Sequence, residues 1–193
     1  MSENVTRRRM LMTLPVLAAA GIGAGFWKML SGMGSGGFDP RAIHTPMLDR
    51  PLPDFSLPGL PDQGNGFGAA DLRAQTRPVL LNFFASWCIP CVAEMPALRE
   101  IAAHIPVWGI AYKDKPDNAA RFVARDGSPF TRAALDLSGM TAIDWGVTGV
   151  PETFLILPGG RIAWHGASEL TQRTYETQIA PVVRDAMTQS AVK

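Results

Sequence analysis

Apolar residues run almost unbroken from Val79 to Phe84 and again from Val107 to Tyr112. Such runs predict strands buried on both faces, not the alternating strands of a sheet with one wet side. Between them, residues 92–101 read as a helix that reaches about His104 and is kinked at Pro96. Residues 117–125 place Ala120, Phe122 and Val123 at helical spacing, and Gly127 ends that helix. Upstream, Pro53-Asp54-Phe55-Ser56-Leu57-Pro58 alternates apolar and polar positions between prolines and predicts a short edge strand. Residues 61–68 read as loop, and residues 70–73 as the start of a helical turn. Downstream, Leu135-Asp136-Leu137 predicts a short strand and residues 141–145 a weak helix. Residues 153–157 and 161–164 flank Pro158-Gly159-Gly160 as a hairpin. A final amphipathic helix over residues 171–190 has Tyr175, Ile179, Val182, Val183 and Met187 on one side. Strand and helix alternate, then a hairpin and a helix follow. That order predicts an α/β fold with a central mixed sheet and helices on both faces.

The N-terminal pattern is different. Arg7-Arg8-Arg9 precede residues 10–27, which hold no charge. At 1.5 Å per residue this run is about 27 Å long as a helix, near the thickness of a bilayer core. It predicts an export segment over residues 1–30, read as an uncleaved signal-anchor in preference to a cleaved signal peptide, although Ala18-Ala19-Ala20 offers a small-residue cleavage site. Thr6 to Leu11 also loosely resembles a twin-arginine signal. In either case the arginines stay inside and the remainder is exported. Ser31-Gly32-Met33-Gly34-Ser35-Gly36-Gly37 opens a flexible linker over residues 31–50. The folded domain is expected over residues 51–190.

Composition excludes more than it suggests. A net charge of +1 over 193 residues argues against nucleic acid or a polyanionic partner. His44, His104 and His165 are scattered, and the chain has only two cysteines, so a four-ligand zinc site is not expected. Those two, Cys88 and Cys91, carry the chemistry. They lie between a strand and a helix, the context a redox-active Cys-x-x-Cys requires. Cys88 falls at the helix N-terminus, where orphan N–H groups and the helix dipole favour a thiolate. A merely structural bridge over two residues would constrain little chain entropy. Pro90 suits a first helical turn, which does not need its missing N–H.

Trp87-Cys88-Ile89-Pro90-Cys91, Pro96 and Gly149-Val150-Pro151 together resemble the thioredoxin superfamily: its active-site motif, helix-bending proline and cis-proline loop. Closer is the resemblance to the membrane-anchored thiol:disulfide interchange proteins of cytochrome c maturation, the CcmG or DsbE type. It rests on Asn82 in the position of the buried thioredoxin aspartate, on Glu94 three residues after Cys91, and on Gly146-Val147-Thr148-Gly149-Val150-Pro151-Glu152-Thr153-Phe154. Gly109 to Asp114 is similar as well, and the likeness covers residues 52–186. Ile89 departs from the proline frequent at its position, so the resemblance does not set the redox potential.

The resemblance implies a periplasm-facing reductase, single-pass in the inner membrane, that needs no cofactor. Its partner would be apocytochrome c or a maturation protein, and its electron donor a membrane transporter of the DsbD or CcdA type. Cys88 would attack the partner disulfide and Cys91 resolve the mixed disulfide. Trp87, Pro90, Val150, Pro151 and Glu152 are the expected substrate-binding residues. Val150 presents its backbone to an extended peptide, since Pro151 lacks an N–H. Trp87 reads as partner platform or packing, and Glu152 as acidic rim residue or loop charge. Glu94 is either a solvated helix residue or, if half buried, the group that takes the Cys91 proton. Two alternatives stand beside this reading. One is a general periplasmic disulfide oxidase or isomerase; the other is a Sco-type copper-delivery protein, disfavoured by the two-residue cysteine spacing.

Overall fold

A computed structural model describes residues 19–28, 31, 47–125 and 127–191. The chain divides into two units, residues 1–42 and residues 43–193. In the first, residues 19–28 are helical. Among the described residues no helix is long and apolar enough to cross a membrane. Arg7, Arg8, Arg9 and apolar residues 10–18, half of the expected anchor, lie outside the described residues, as does most of the expected linker.

The second unit is built on five strands. Strand β3 (Val79–Phe84) lies at the centre, with all six residues buried. It pairs in parallel with β4 (Val107–Tyr112), which pairs in parallel with β5 (Arg132–Asp136). On its other side it pairs antiparallel with β6 (Glu152–Leu157), which continues through a tight turn into β7 (Arg161–Gly166). Gly159 and Gly160 make that turn with φ of 83° and 89°, a conformation that favours glycine. The order β5-β4-β3-β6-β7 is the mixed sheet expected. Two short strands, β1 (Ser56–Leu57) and β2 (Phe67–Gly68), form a separate antiparallel pair.

Alternation along β3 divides its side chains between two cores. Leu80 and Phe84 pack with α2 (Ile89–Ala102) and α3 (Pro116–Ala124), and with Tyr175 and Ile179 near the C-terminus. Val79, Leu81 and Phe83 pack on the opposite face against α1 (Ala69–Arg73), α4 (Met140–Asp144) and Trp145. Trp145 is fully buried and contacts Phe55, Phe83 and Phe154, with ring centroids 5.1–5.9 Å apart. Asn82 falls on the α2 side, the single polar residue of the strand.

Four expectations needed correction. The edge strand shrinks to two residues, and its partner β2 lies in a stretch expected to be loop; a two-residue strand has too little alternation to be seen. The strand expected at Leu135 begins at Arg132 and ends at Asp136, so Leu137 is 63% exposed. Ala133 and Ala134 carry little β signal, yet both are buried between neighbouring layers. Strand β7 runs on to Gly166, two residues past the expected end. The terminal helix is not uniform. It comprises α5 (Gln172–Thr174), a π-helical turn over Tyr175–Ile179 and α6 (Ala180–Ala191). The widened turn closes with Ala180 N–H on the Tyr175 carbonyl, immediately before Pro181, whose ring cannot continue regular α-helical bonding. The shift keeps Tyr175 and Ile179 buried but leaves Met187 45% exposed.

Candidate functional site

At the end of β3 the chain turns through Ala85, Ser86 and Trp87 into α2. Buried Asp114 fastens this turn: its carboxylate accepts from the Ser86 hydroxyl (2.9 Å) and backbone N–H, and from Lys115 N–H (2.8 Å). Cys88 is the N-cap of α2, its Sγ accepting the Cys91 N–H at 3.1 Å, with Ile89 and Pro90 opening the helix. Cys88 and Cys91 are joined as a disulfide and are 4% and 1% exposed. Around them the surface is apolar and open, with Trp87 58% and Ile89 82% exposed and Pro90 also exposed. The Trp87 indole N–H donates to the Lys113 carbonyl (3.3 Å), which holds the ring beside the cysteines without burying it. Once the bridge is reduced, the N-cap position offers Cys88 sulfur a hydrogen bond and the helix dipole, and offers Cys91 neither. Iodoacetamide at about pH 7 is therefore expected to modify Cys88 first. Peptide mapping that finds Cys91 modified faster would reverse the two roles.

The facing wall is the loop before β6. Val150–Pro151 is a cis peptide bond, and the Val150 carbonyl oxygen lies 3.5 Å from Cys88 Sγ. Val150 is half-buried and Pro151 buried. Glu152 belongs to this loop in a way the sequence did not suggest. Its side chain turns inward and is 1% exposed, so it is neither an acidic rim nor a direct contact for a partner. One oxygen, Oε1, accepts from Thr148 N–H (2.7 Å), the Thr148 hydroxyl (2.6 Å) and Gly149 N–H (3.1 Å). Oε2 meets His165 Nε2 at 2.8 Å. Burial alone would raise the Glu152 pKa, but these donors outweigh it and hold the carboxyl below its ordinary value.

Glu94 occupies the opposite side of α2 from solvent. It is 2% exposed, one turn beyond Cys91, and its carboxylate accepts from Asn82 Nδ2 (2.9 Å) and Leu170 N–H (2.9 Å). Asn82 Nδ2 also donates to the Thr153 hydroxyl (3.0 Å), across the β3–β6 register. Desolvation dominates here and raises the Glu94 pKa to about 7, against the pull of the two hydrogen bonds. The reading of Glu94 as a solvated helix residue does not hold.

Cys88, Cys91, Trp87, Pro90, Val150 and Pro151 thus come together on one face, while Glu94 and Glu152 stand behind it on opposite sides. The sequence reading missed His165, Thr148, Leu170 and Asp114. Thr148 and Asp114 lay inside stretches on which the resemblance rests, and the Pro158-Gly159-Gly160 hairpin carries His165 opposite Phe154, two residues from Glu152 on β6; Leu170 left no signal.

A thioredoxin-like sheet carrying a helix-capping Cys-x-x-Cys against a cis-proline loop defines the class, a thiol:disulfide oxidoreductase. The chain belongs to the AhpC/TSA family, which it matches over residues 48–165. It is 38% identical over 178 residues to the thiol:disulfide interchange protein DsbE homolog of Paracoccus denitrificans, covering 92% of this chain and 95% of that one. It is 39% identical over 175 residues to the thiol:disulfide interchange protein HelX of Rhodobacter capsulatus, covering 90% and 95%. A solved structure of a secreted thiol-disulfide isomerase from Corynebacterium glutamicum is similar with a TM-score of 0.61 at 25% identity, over 76% of this chain and 96% of that one.

Proposed function

We propose that the protein is a reductase of cytochrome c maturation, exported and held at the inner membrane by residues 1–30, with residues 31–50 as linker and residues 51–190 as the catalytic domain facing the periplasm. The cysteines of apocytochrome c, or of a maturation protein that relays its disulfide, are the substrate. The Cys88 thiolate attacks one sulfur of the partner disulfide, and the other partner sulfur leaves as a thiolate that takes a proton. Cys91, losing its proton to Glu94, then displaces the second partner sulfur and closes the Cys88–Cys91 bridge. The partner gains two electrons, and a membrane donor of the DsbD or CcdA type restores the dithiol. Trp87 and Pro90 supply the apolar platform, Val150 and Pro151 the backbone edge to which an extended peptide adds.

Buried Glu94 carries this reading. A carboxylate behind the cysteines opposes thiolate formation and so favours the oxidised form of the protein, the property of an electron donor. Cys91→Ala removes the resolving thiol and is expected to accumulate a mixed disulfide through Cys88 in intact cells. Recovery of a c-type apocytochrome or a maturation protein in that adduct supports the proposal. Adducts dominated by unrelated secreted proteins would instead identify a general oxidase or isomerase.

A further inference from the structure

His165 lies on β7, its side chain 3% exposed, with its ring stacked on Phe154 (centroids 4.4 Å apart) and Nε2 placed 2.8 Å from Glu152 Oε2. An ionised carboxylate accepts only, so Nε2 is the protonated nitrogen of this pair. The exchange chemistry described above makes no use of His165. Yet among the described residues it is the side chain that meets Oε2, while the other oxygen holds Thr148 and Gly149, the residues leading into Val150 and Pro151.

We infer that His165 is a positioning residue for disulfide exchange: its Nε2–H anchors the Glu152 carboxylate, which fixes the Thr148–Gly149 backbone and thereby the Val150 carbonyl beside Cys88. Without that donor, Oε2 is buried and unpaired, and a buried acceptor in this state is costly. The carboxylate then turns toward other donors and slackens its hold on the loop. His165 touches no reacting atom. Its effect falls first on how well an extended peptide docks, and on Cys88 only through the position of the Val150 carbonyl. The inference rests on the reading of Val150 and Pro151 as the docking edge.

The test uses the full chain in its reduced form and two oxidants. One is a disulfide between two short cysteine peptides; the other is hydroxyethyl disulfide, which has no backbone to dock. His165→Leu is expected to raise KM for the peptide disulfide about tenfold, the scale of one charge-assisted hydrogen bond, well beyond any change in the rate with hydroxyethyl disulfide. Hydrogen exchange at the Thr148 and Gly149 amides should accelerate, and His165→Gln, which retains an N–H donor, should restore much of the peptide KM. If His165→Leu does not fold, His165→Phe, which keeps a ring against Phe154 but has no N–H, replaces it. Equal losses on both oxidants, or no loss on the peptide, overturn the inference. Pro151→Ala separates the two readings: if it leaves the peptide KM unchanged, the docking edge is wrongly placed. If it raises KM while His165→Leu does not, only the assignment of His165 fails.

Discussion

Glu94→Gln is expected to abolish most of the loss of stability that the native protein shows between about pH 4.5 and 7. The sign follows from burial. The Glu94 pKa rises from 4.5 to about 7 on folding. Between those values the unfolded chain has released the proton that the folded chain still holds. Stability therefore falls as pH rises through the window and levels off above it. A shift of this size corresponds to roughly 3 kcal/mol. Glutamine has no proton to lose, so its stability curve should run nearly flat through the same range, offset by one weakened hydrogen bond to Asn82 or Leu170. Urea unfolding at intervals from pH 4.5 to 8 reads this directly, and parallel curves for the two proteins would sink the argument. Above pH 7 the same substitution removes a negative charge behind the cysteines. The Cys88 thiolate should form more readily and the reduction potential should rise, with 30 mV equivalent to about 1.4 kcal/mol. A glutathione equilibrium at pH 8 provides that measurement.

Glu152→Ala should cost about 3–5 kcal/mol at pH 7, the loss typical when one partner of a buried pair is removed. Three loop donors and His165 would be left without their common acceptor. Because the Glu152 pKa is depressed, its pH dependence is opposite to that of Glu94. The contribution is complete above the unfolded value of 4.5 and is lost as pH falls through the lower folded value. Native protein should therefore lose stability on strong acidification where the Glu152→Ala variant loses less. Unfolding curves at pH 3 and pH 7 test the difference. A variant as stable as the native protein at pH 7 would mean that the loop holds itself.

The sheet was legible because its central strands are apolar without interruption. Val79–Phe84 and Val107–Tyr112 have the observed bounds. The same logic failed at β5, where Ala133 and Ala134 are buried by neighbouring layers and not by any strong preference of their own. It failed again at Phe67–Gly68, too short to show a period. The cysteines, Trp87 and the Val150–Pro151 loop could be read because a motif of local spacing carries them. Glu94 and Glu152 could be named but not placed: spacing gives a helix face or a loop, whereas burial depends on Leu170 and His165, residues 76 and 13 positions away. His165 itself stood one residue beyond the expected end of its strand.

The Asn82 amide has one further consequence. Its Oδ1 is buried and accepts no hydrogen bond from any described residue, while its Nδ2 serves both Glu94 and Thr153. A neutral carboxyl group needs an acceptor for its O–H, and the ionised one needs none. Turned over about its terminal bond, the amide sets Oδ1 where Nδ2 now lies, facing both the acid O–H of Glu94 and the hydroxyl of Thr153. In that orientation Nδ2 would take the place where Oδ1 now has no partner, so the rotation trades one unpaired buried atom for another. An aspartate there would add a second negative charge beside Glu94, whereas the amide remains neutral as the carboxyl changes charge.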